Sequence, residues 1–155
     1  MISDLETLDL AANQLSGPIP MHLEHCSKLL HLNLRNNKFS GNIPFQIGTL
    51  QSLENLDLHK NLLSGELPLE LGHLDKLETF NLSHNNLSGS IPSTFKELIS
   101  LTSVDISYNQ LEGPLPHIKA FIKAPFEALK DNKGLCGNNT VRINPQNFCK
   151  MCLLV

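Results

Sequence analysis

Aromatic residues are scarce in this sequence, which has no Trp, a single Tyr at position 108 and 5% aromatic residues over its 155 positions. Rigid rings usually anchor binding hot spots, so a binding surface here must depend largely on polar contacts. Long apolar runs are also lacking, because no stretch reaches the roughly 20 apolar residues that span a bilayer. The sequence therefore predicts no membrane span, and Met1 is followed by Ile2 and Ser3 rather than by a secretory leader.

An excess of charge of either sign is missing as well. The sequence has 17% charged residues and a formal net charge of −3 at pH 7. Such a balance argues against nucleic acid as a partner, since nucleic-acid-binding domains carry basic patches. With 41% apolar residues, the composition is that of an ordinary globular domain.

What the sequence does contain is an internal repeat of 24 residues. Each unit reads L-x-x-L-x-L-x-x-N-x-L-x-G-x-[IL]-P, and a fixed period of this length is the signature of a solenoid. Positions within a unit are numbered here from its first Leu. The five units begin at Leu5, Leu29, Leu53, Leu77 and Leu101.

Alternation around the L-x-L core predicts a short strand with Leu8 and Leu10 pointing inward and Thr7, Asp9 and Ala11 pointing outward. Successive strands are then expected to stack in parallel. An Asn at the ninth position survives burial only if its amide bonds to backbone groups of adjacent loops, so these residues are predicted to form a structural ladder. They are Asn13, Asn37, Asn61, Asn85 and Asn109.

Gly at the thirteenth position and Pro at the sixteenth position fit a turn that leaves the strand, because Gly permits positive φ and Pro fixes φ. Later positions repeat more loosely and are expected to face inward on the opposite side of the core. These residues are Leu23, Ile47, Leu71 and Phe95, followed by Cys26, Leu50, Leu74 and Leu98. Cys26 stands where the other repeats have Leu, so we interpret it as a small buried apolar residue.

The period ends in the fifth unit, where Lys119 occupies a position that is expected to be apolar. Solenoids need different chemistry at their ends, so the following segment is predicted to cap the last repeat. Pro125 should open a short helical turn and Gly134 should close it. The residues expected to cover the core are Phe121, Phe126, Leu129 and Leu135. We assign residues 1–120 to the repeats, 121–138 to the cap and 139–155 to a flexible tail.

The repeat resembles the extracellular leucine-rich repeats of plant receptor-like kinases and receptor-like proteins. The segment from Ala124 to Asn138, APFEALKDNKGLCGN, is similar to the membrane-proximal cap of the male-discoverer-interacting type of receptor kinase. The resemblance implies a right-handed α/β solenoid with a concave parallel sheet. It also implies a secreted ectodomain at the plasma membrane that binds a peptide ligand or a co-receptor ectodomain, followed by a membrane helix and a Ser/Thr kinase.

The sequence departs from that family in several ways. It contains no secretory leader, no amino-terminal capping segment with paired Cys and Trp, no membrane helix and no kinase motif such as a Gly-rich loop. We therefore expect the chain to be the membrane-proximal end of such a repeat domain, without catalytic activity and without a cofactor. The tail after residue 138 has no match in the family.

Four Cys residues allow three full pairings, and a buried Cys26 would leave Cys136, Cys149 and Cys152 for one bridge and one spare thiol. The resemblance favours a disulfide between Cys136 and Cys149. The C-x-x-C spacing from Cys149 to Cys152 lacks the strand and helix context of a redox site. Cys152 also begins an outline of a prenylation box, but Val155 is an unusual last residue for one.

A metal site at His22, His25 and Cys26 is not predicted, because the equivalent positions of other repeats hold residues such as Gln46 and Leu50. Three N-glycosylation sequons are present, and glycosylation would require passage through the secretory path. They begin at Asn81, Asn86 and Asn138. A glycan on Asn81 would lie on the strand face and obstruct a ligand, which makes Asn138 the better candidate.

The outward face of the strands is the expected binding surface, because a solenoid has nothing with which to cover it. The fifth positions alternate Asp9, Asn33, Asp57, Asn81 and Asp105, which we interpret as a solvated family pattern. More individual is a cationic and aromatic row at the seventh and eighth positions. We call this row the contact strip; it comprises Arg35, His59, Lys60, His84 and Tyr108.

These patterns predict a non-catalytic module that binds a protein or a peptide. The alternative is a self-standing secreted repeat protein that inhibits a microbial wall enzyme. A third class, an intracellular lipidated adaptor, would require a modified Cys152 and unmodified sequons.

Overall fold

The computed structural model describes residues 3–137 of the chain, so the segment assigned to the tail lies outside the described residues. Short strands and single-turn helices alternate along the chain. The strands are β1 (Thr7–Asp9), β2 (Ser16–Gly17), β3 (His31–Asn33), β4 (Lys38–Gly41), β5 (Asn55–Asp57), β6 (Leu62–Glu66), β7 (Thr79–Asn81), β8 (Asn86–Ser90), β9 (Ser103–Asp105), β10 (Gln110–Pro114) and β11 (Gly134–Cys136).

Strands β1, β3, β5, β7 and β9 form a parallel sheet in this order. The register places equal positions of successive repeats side by side, so Leu32 lies opposite Leu8 on one side and Leu56 on the other. Each repeat thus adds one strand to a common sheet, which confirms the predicted solenoid of parallel strands. We call the outward side of this sheet the concave face.

A second parallel sheet forms from strands β2, β4, β6, β8, β10 and β11. It follows the turn at the thirteenth position, where Gly65 adopts a φ of 80° that disfavours a side chain. The chain then enters a 3-10 helix directly after the Pro of each repeat. These helices span Met21–His25, Phe45–Thr49, Leu69–His73 and Ser93–Glu97. None of the helices within residues 3–137 has the length and apolarity of a membrane span.

The core lies between the concave sheet and the 3-10 helices. Leu56 of β5 and Leu71 of the third helix are both buried, as are Leu50 and Leu74 just after the helices. Cys26 is a buried free thiol at the equivalent place in the first repeat, as predicted. Removing this much apolar surface from water, at roughly 25 cal/mol per Å², is the main stabilising term of such a stack.

The first repeat departs from the predicted inward pattern. Leu8 and Leu10 are only half-buried, and Leu15 is 39% exposed, whereas Leu32 in the next repeat is 1% exposed. The reason is geometric: each repeat is covered by its two neighbours, and β1 is the edge strand of its sheet.

The Asn side chains of the ninth position connect adjacent repeats. Asn61 is buried, its Oδ1 accepts a hydrogen bond from Phe39 N at 3.0 Å, and its Nδ2 donates to Leu34 O at 3.0 Å and to Leu58 O at 3.1 Å. The same three kinds of bond recur at Asn37, Asn85 and Asn109. Backbone groups that the turn leaves unpaired are satisfied in this way.

For Asn13 the prediction of an interior position is wrong. Asn13 is exposed and donates only to Leu10 O and Ala11 O of its own repeat. A rung of the ladder that the sequence did not reveal is Asn132, which is buried and whose Oδ1 accepts a hydrogen bond from Leu111 N at 3.1 Å. Asn132 follows Asn109 by 23 residues instead of 24, so a strict period misses it.

The cap contains the helix α1 (Lys119–Ile122), a 3-10 turn at Phe126–Ala128 after Pro125, and β11. Phe121, Leu129 and Leu135 are buried against the last repeat, as predicted. Phe126, however, is 43% exposed, so the prediction that it covers the core is wrong. Gly134 does not close a helical turn but begins β11, whose pairing with β10 extends the second sheet.

Candidate functional site

The contact strip begins where each concave strand ends, and the fifth position determines the path of the chain there. Asp57 Oδ1 accepts a hydrogen bond from His59 N, two residues further on, at 3.1 Å. The equivalent bond is present in every repeat, whether Asp or Asn stands at the fifth position. The fifth position is therefore a structural Asx turn as well as a solvated surface, which corrects the interpretation from the sequence.

The eighth position has the left-handed backbone conformation in every repeat, although none of the residues there is Gly. The φ values are 56° at Lys60, 55° at His84 and 54° at Tyr108. Hydrogen bonds from these backbone N–H groups to the next repeat hold the conformation, as from Lys60 N to Ser83 O at 2.9 Å. Because the backbone is fixed, the exposed side chains of Lys60, His84 and Tyr108 leave the turn at defined places.

Two residues of the contact strip are in direct contact. The rings of His84 and Tyr108 are stacked, with 4.2 Å between their centroids and 16° between their planes. Lys130 of the cap places its Nζ 5.5 Å from the centroid of the Tyr108 ring, within the range of a cation–π contact, and forms an ion pair with Glu127. We call this group of His84, Tyr108 and Lys130 the aromatic cluster.

Lys130 was not among the residues predicted from the sequence. It lies two positions before Asn132, as His59 lies two positions before Asn61, so the shortened sixth unit is the signal that would have located it. The pKa of Lys130 is raised above its ordinary value, first by the hydrogen bond with Glu127 and then by that with Tyr108. The cluster therefore keeps a full positive charge at any physiological pH.

The other residues of the contact strip have separate surroundings. His59 Nδ1 lies 3.0 Å from Asp57 Oδ1, which couples this imidazole to the acidic residue at the end of its own strand. The side chains of Arg35 and Lys60 are exposed. In the fourth and fifth repeats the seventh position is instead Ser83 and Ser107, and both are buried.

Beside the contact strip, the concave face forms a shallow groove of about 290 Å³. Its lining residues are Thr7, Asp9, His31, Leu32, Asn33, Asn55, Asp57 and Thr79. Asn55 accepts a hydrogen bond from Thr79 Oγ1 through Oδ1 and places Nδ2 2.7 Å from His31 Nδ1. Since the amide nitrogen donates, His31 Nδ1 accepts, and the ring presents its other nitrogen as a donor.

The candidate modification sites differ in their surroundings. Asn81 is half-buried on the concave face, and its Oδ1 accepts hydrogen bonds from Ser83 N and Ser83 Oγ, whereas Asn86 is exposed at the start of β8. Asn138 lies outside the described residues. Cys136 is disulfide-bonded, but its predicted partner Cys149 is also outside them, so this pairing stays a prediction.

No cluster of His, Cys, Asp and Glu within residues 3–137 has the geometry of a metal site. The rings of His22 and His25 lie 6.1 Å apart, and Cys26 is buried behind them. The geometry on the page is thus a polar groove with a cationic and aromatic edge.

Comparison with known proteins agrees with this architecture. Family models of the leucine-rich repeat match residues 51–111, 4–26 and 28–50. No curated protein sequence matches the chain at a significant level. The fold and the matched residues define a leucine-rich-repeat protein.

Several solved structures are similar over most of the chain. The complex of the plant peptide hormone receptor RGFR1 with RGF2 gives a TM-score of 0.82 at 39% identity and covers 87% of this chain and 22% of that chain. The BIR3–SERK2 complex from Arabidopsis thaliana gives 0.79 at 37% identity and covers 88% of this chain and 72% of that chain. The ectodomain of the receptor kinase SOBIR1 from Arabidopsis thaliana gives 0.75 at 30% identity and covers 84% and 72%.

The chain belongs to the family of leucine-rich-repeat ectodomains of plant receptor kinases. It spans about a fifth of the RGFR1 chain, at 22%, so that structure contains many repeats beyond those compared here.

Proposed function

We propose that this chain is a non-catalytic binding module that takes an extended peptide or the ectodomain of a partner receptor on its concave face and contact strip. We further propose that it is the membrane-proximal part of a receptor-kinase ectodomain of the male-discoverer-interacting type, acting at the extracellular face of the plasma membrane.

The observation that supports this proposal best is the aromatic cluster. A rigid ring pair with an adjacent cation, held by a fixed backbone, loses little conformational entropy on binding, which is what hot spots require. It is also placed at the cap, where Lys130 contributes to it. Structures of related ectodomains support the choice of partner, since RGFR1 was solved with RGF2 and BIR3 with SERK2.

The expected affinity of the isolated chain is low. Five strands give four spacings of about 4.8 Å, so the concave face offers about 19 Å of length, enough for roughly six extended residues. A contact area of this size lies below that of a stable protein interface, which buries about 800 Å² on each partner. Dissociation constants in the micromolar to millimolar range are therefore expected for a short peptide.

A peptide array tests the proposal. The 155-residue chain is applied to an array of hexapeptides of random sequence, beside a variant in which Arg35, His59, His84 and Tyr108 are replaced by Ser and Lys60 by Asn. We expect a set of peptides that bind the chain but not this variant. The matched control replaces Met21, Phe45 and Leu69, which are exposed on the 3-10 helices, by Ser and should bind as the parent does. If the contact-strip variant retains every peptide that the parent binds, the proposal is wrong.

A further inference from the structure

Charges of opposite sign are separated on the binding surface. At the second, third and fifth positions of the five repeats, no Lys or Arg occurs, and six carboxylates do: Glu6, Asp9, Glu54, Asp57, Glu78 and Asp105. At the seventh and eighth positions of the same repeats there is no carboxylate, and the cations are Arg35 and Lys60. Lys130 extends this basic row into the cap, where Asp131 follows it.

The acidic row on the concave face consists of Asp9, Asp57 and Asp105, and its carboxylates are held in place. In each of them Oδ1 accepts the hydrogen bond of the Asx turn. Within the part of the chain that the structure describes, Oδ2 of Asp57 and of Asp105 accepts no hydrogen bond from the protein. One oriented oxygen is therefore free for a ligand at each of these two positions.

Distances between the rows suit an extended peptide. Adjacent strands lie about 4.8 Å apart, so Asp residues in alternate repeats are separated by about 10 Å. Lys60 follows Asp57 by three residues, which at about 3.3 Å per residue places the basic row at most roughly 10 Å away. A peptide that runs along the solenoid axis between the rows projects alternate side chains toward each row.

Alternation then determines which side chains fit. Side chains on one side of an extended chain recur every 6.8 Å or so. If a central Lys of the ligand pairs with Asp57, the neighbouring basic residues must reach about 3 Å further to meet Asp9 and Asp105, well within the length of a Lys side chain. The side chains on the other side meet Arg35 and Lys60, which favours carboxylates there.

We propose, on the basis of the function proposed above, that the concave face recognises an extended peptide in which basic and acidic residues alternate. Its basic side chains pair with Asp9, Asp57 and Asp105, and its acidic side chains pair with the basic row. A uniformly acidic peptide meets repulsion from the Asp residues, and a uniformly basic one meets repulsion from Arg35 and Lys60. The polar groove supplies hydrogen-bonding groups such as His31 and Asn55 beneath the ligand.

Two blocked hexapeptides of identical composition test this inference: acetyl-Lys-Glu-Lys-Glu-Lys-Glu-amide and acetyl-Lys-Lys-Lys-Glu-Glu-Glu-amide. Each is titrated into the isotopically labelled 155-residue chain at low salt, and binding is followed by amide chemical shifts. We expect the alternating peptide to bind roughly five- to tenfold more tightly, because it forms about twice as many weak surface ion pairs. The shifts should lie on β1, β5, β9 and the contact strip, and should diminish at high salt.

The repeats themselves provide matched variants. Asp57→Asn removes a charge but keeps the Asx turn, since Asn33 and Asn81 form that turn in neighbouring repeats. Lys60→Asn removes a charge and keeps the left-handed turn, since Asn36 occupies it with a φ of 54°. Each variant should reduce the preference for the alternating peptide about two- to threefold. Asp75→Asn, in an exposed turn after a 3-10 helix, is the control and should leave the preference unchanged.

Equal affinity of the two isomers, or a preference that survives both Asp57→Asn and Lys60→Asn, would overturn the inference. Its failure is separable from failure of the proposed function. If the array yields peptides that depend on the contact strip but show no alternation of charge, the binding module stands and the inference falls. If no peptide on the array depends on the contact strip, both fall.

Discussion

The imidazole ring of His84 stacks on the phenol ring of Tyr108 at the same position of the following repeat, with 4.2 Å between the two ring centroids. Both residues have left-handed backbone conformations, with φ values of 55° and 54°. The repeat spacing of a parallel sheet, about 4.8 Å, is close to the distance at which rings stack. A solenoid can therefore build an ordered aromatic surface from single aromatic residues in successive repeats.

Replacement of His84 tests this arrangement directly. Tyr108 is the only Tyr and there is no Trp, so the near-ultraviolet circular dichroism of the chain between 275 and 290 nm, approximately, reports on this ring. His84→Ala should reduce the Tyr band, because the ring loses a fixed neighbour on one face. His59→Ala, which removes an imidazole that pairs with Asp57, is the control and should leave the band unchanged. An equal loss in both variants would contradict the stacking.

Replacement of a ladder residue should cost far more stability than replacement of its exposed counterpart. Asn61→Leu leaves Phe39 N, Leu34 O and Leu58 O without their partners. Each buried group left unpaired costs about 1 to 3 kcal/mol. Asn13→Leu affects only bonds within an exposed turn and should change the free energy of unfolding by about 0.5 kcal/mol or less. Urea midpoints of the two variants check this, and equal midpoints would be inconsistent with a structural ladder.

Close packing of the 3-10 helices leads to a second stability prediction. A Cβ built on Gly72 would lie 2.5 Å from the carbonyl carbon of Thr94 in the next repeat. Gly72→Ala must therefore push two repeats apart, and we expect a loss of about 1 to 3 kcal/mol in the free energy of unfolding. Gly134→Ala is the matched control, because a Cβ there meets nothing within 4 Å. Thermal or urea unfolding distinguishes the two, and a neutral Gly72→Ala would show that the helices can separate freely.

The periodic parts of this fold could be predicted from the sequence, and the aperiodic parts could not. Leu56 and Asn61 recur at fixed positions, so one strand pattern located the whole core and the ladder. Phe126 lies where the period has already changed, and nothing local distinguishes an exposed Phe from a buried one. Asn132 was missed because a single deletion shifts it from the expected position.

The candidate site shows the same division. The contact strip was found because the eighth position faces outward in every repeat. Its contact with Lys130 is formed between the last repeat and the cap, and no spacing rule describes such a contact. The Asx turns were also missed, since Asp57 and Asn81 look like different surface residues in the sequence but accept the same backbone hydrogen bond.

Strain in the left-handed turns gives a prediction of the opposite sign. Lys60 has a φ of 56°, a conformation that a residue with a Cβ adopts only at a cost, but that Asn tolerates well. Lys60→Asn should therefore raise the free energy of unfolding by on the order of 0.5 kcal/mol. Lys60→Val, with a branched Cβ, should lower it by at least about 1 kcal/mol. Urea midpoints decide the matter, and a lower midpoint for the Asn variant would mean that the Lys60 side chain stabilises the turn through other contacts.

The first repeat should be the least stable part of the 155-residue chain. β1 is the edge strand of its sheet, and Leu8 and Leu10 are half-buried, whereas β5 pairs on both sides and Leu56 is 1% exposed. In a stack of repeats, stability comes from the interfaces between neighbours, so a repeat with one interface opens more easily than a repeat with two. Native-state hydrogen exchange should therefore show amides that pair β1 with β3, such as Leu10 N, exchanging at least about 100-fold faster than those between β5 and β7. A dye that binds exposed apolar surface should also bind the chain, and Leu10→Ser should reduce that binding with little further loss of stability. Uniform protection from β1 to β9 would instead mean that the repeats unfold as one cooperative unit, with the first repeat as stable as the middle ones.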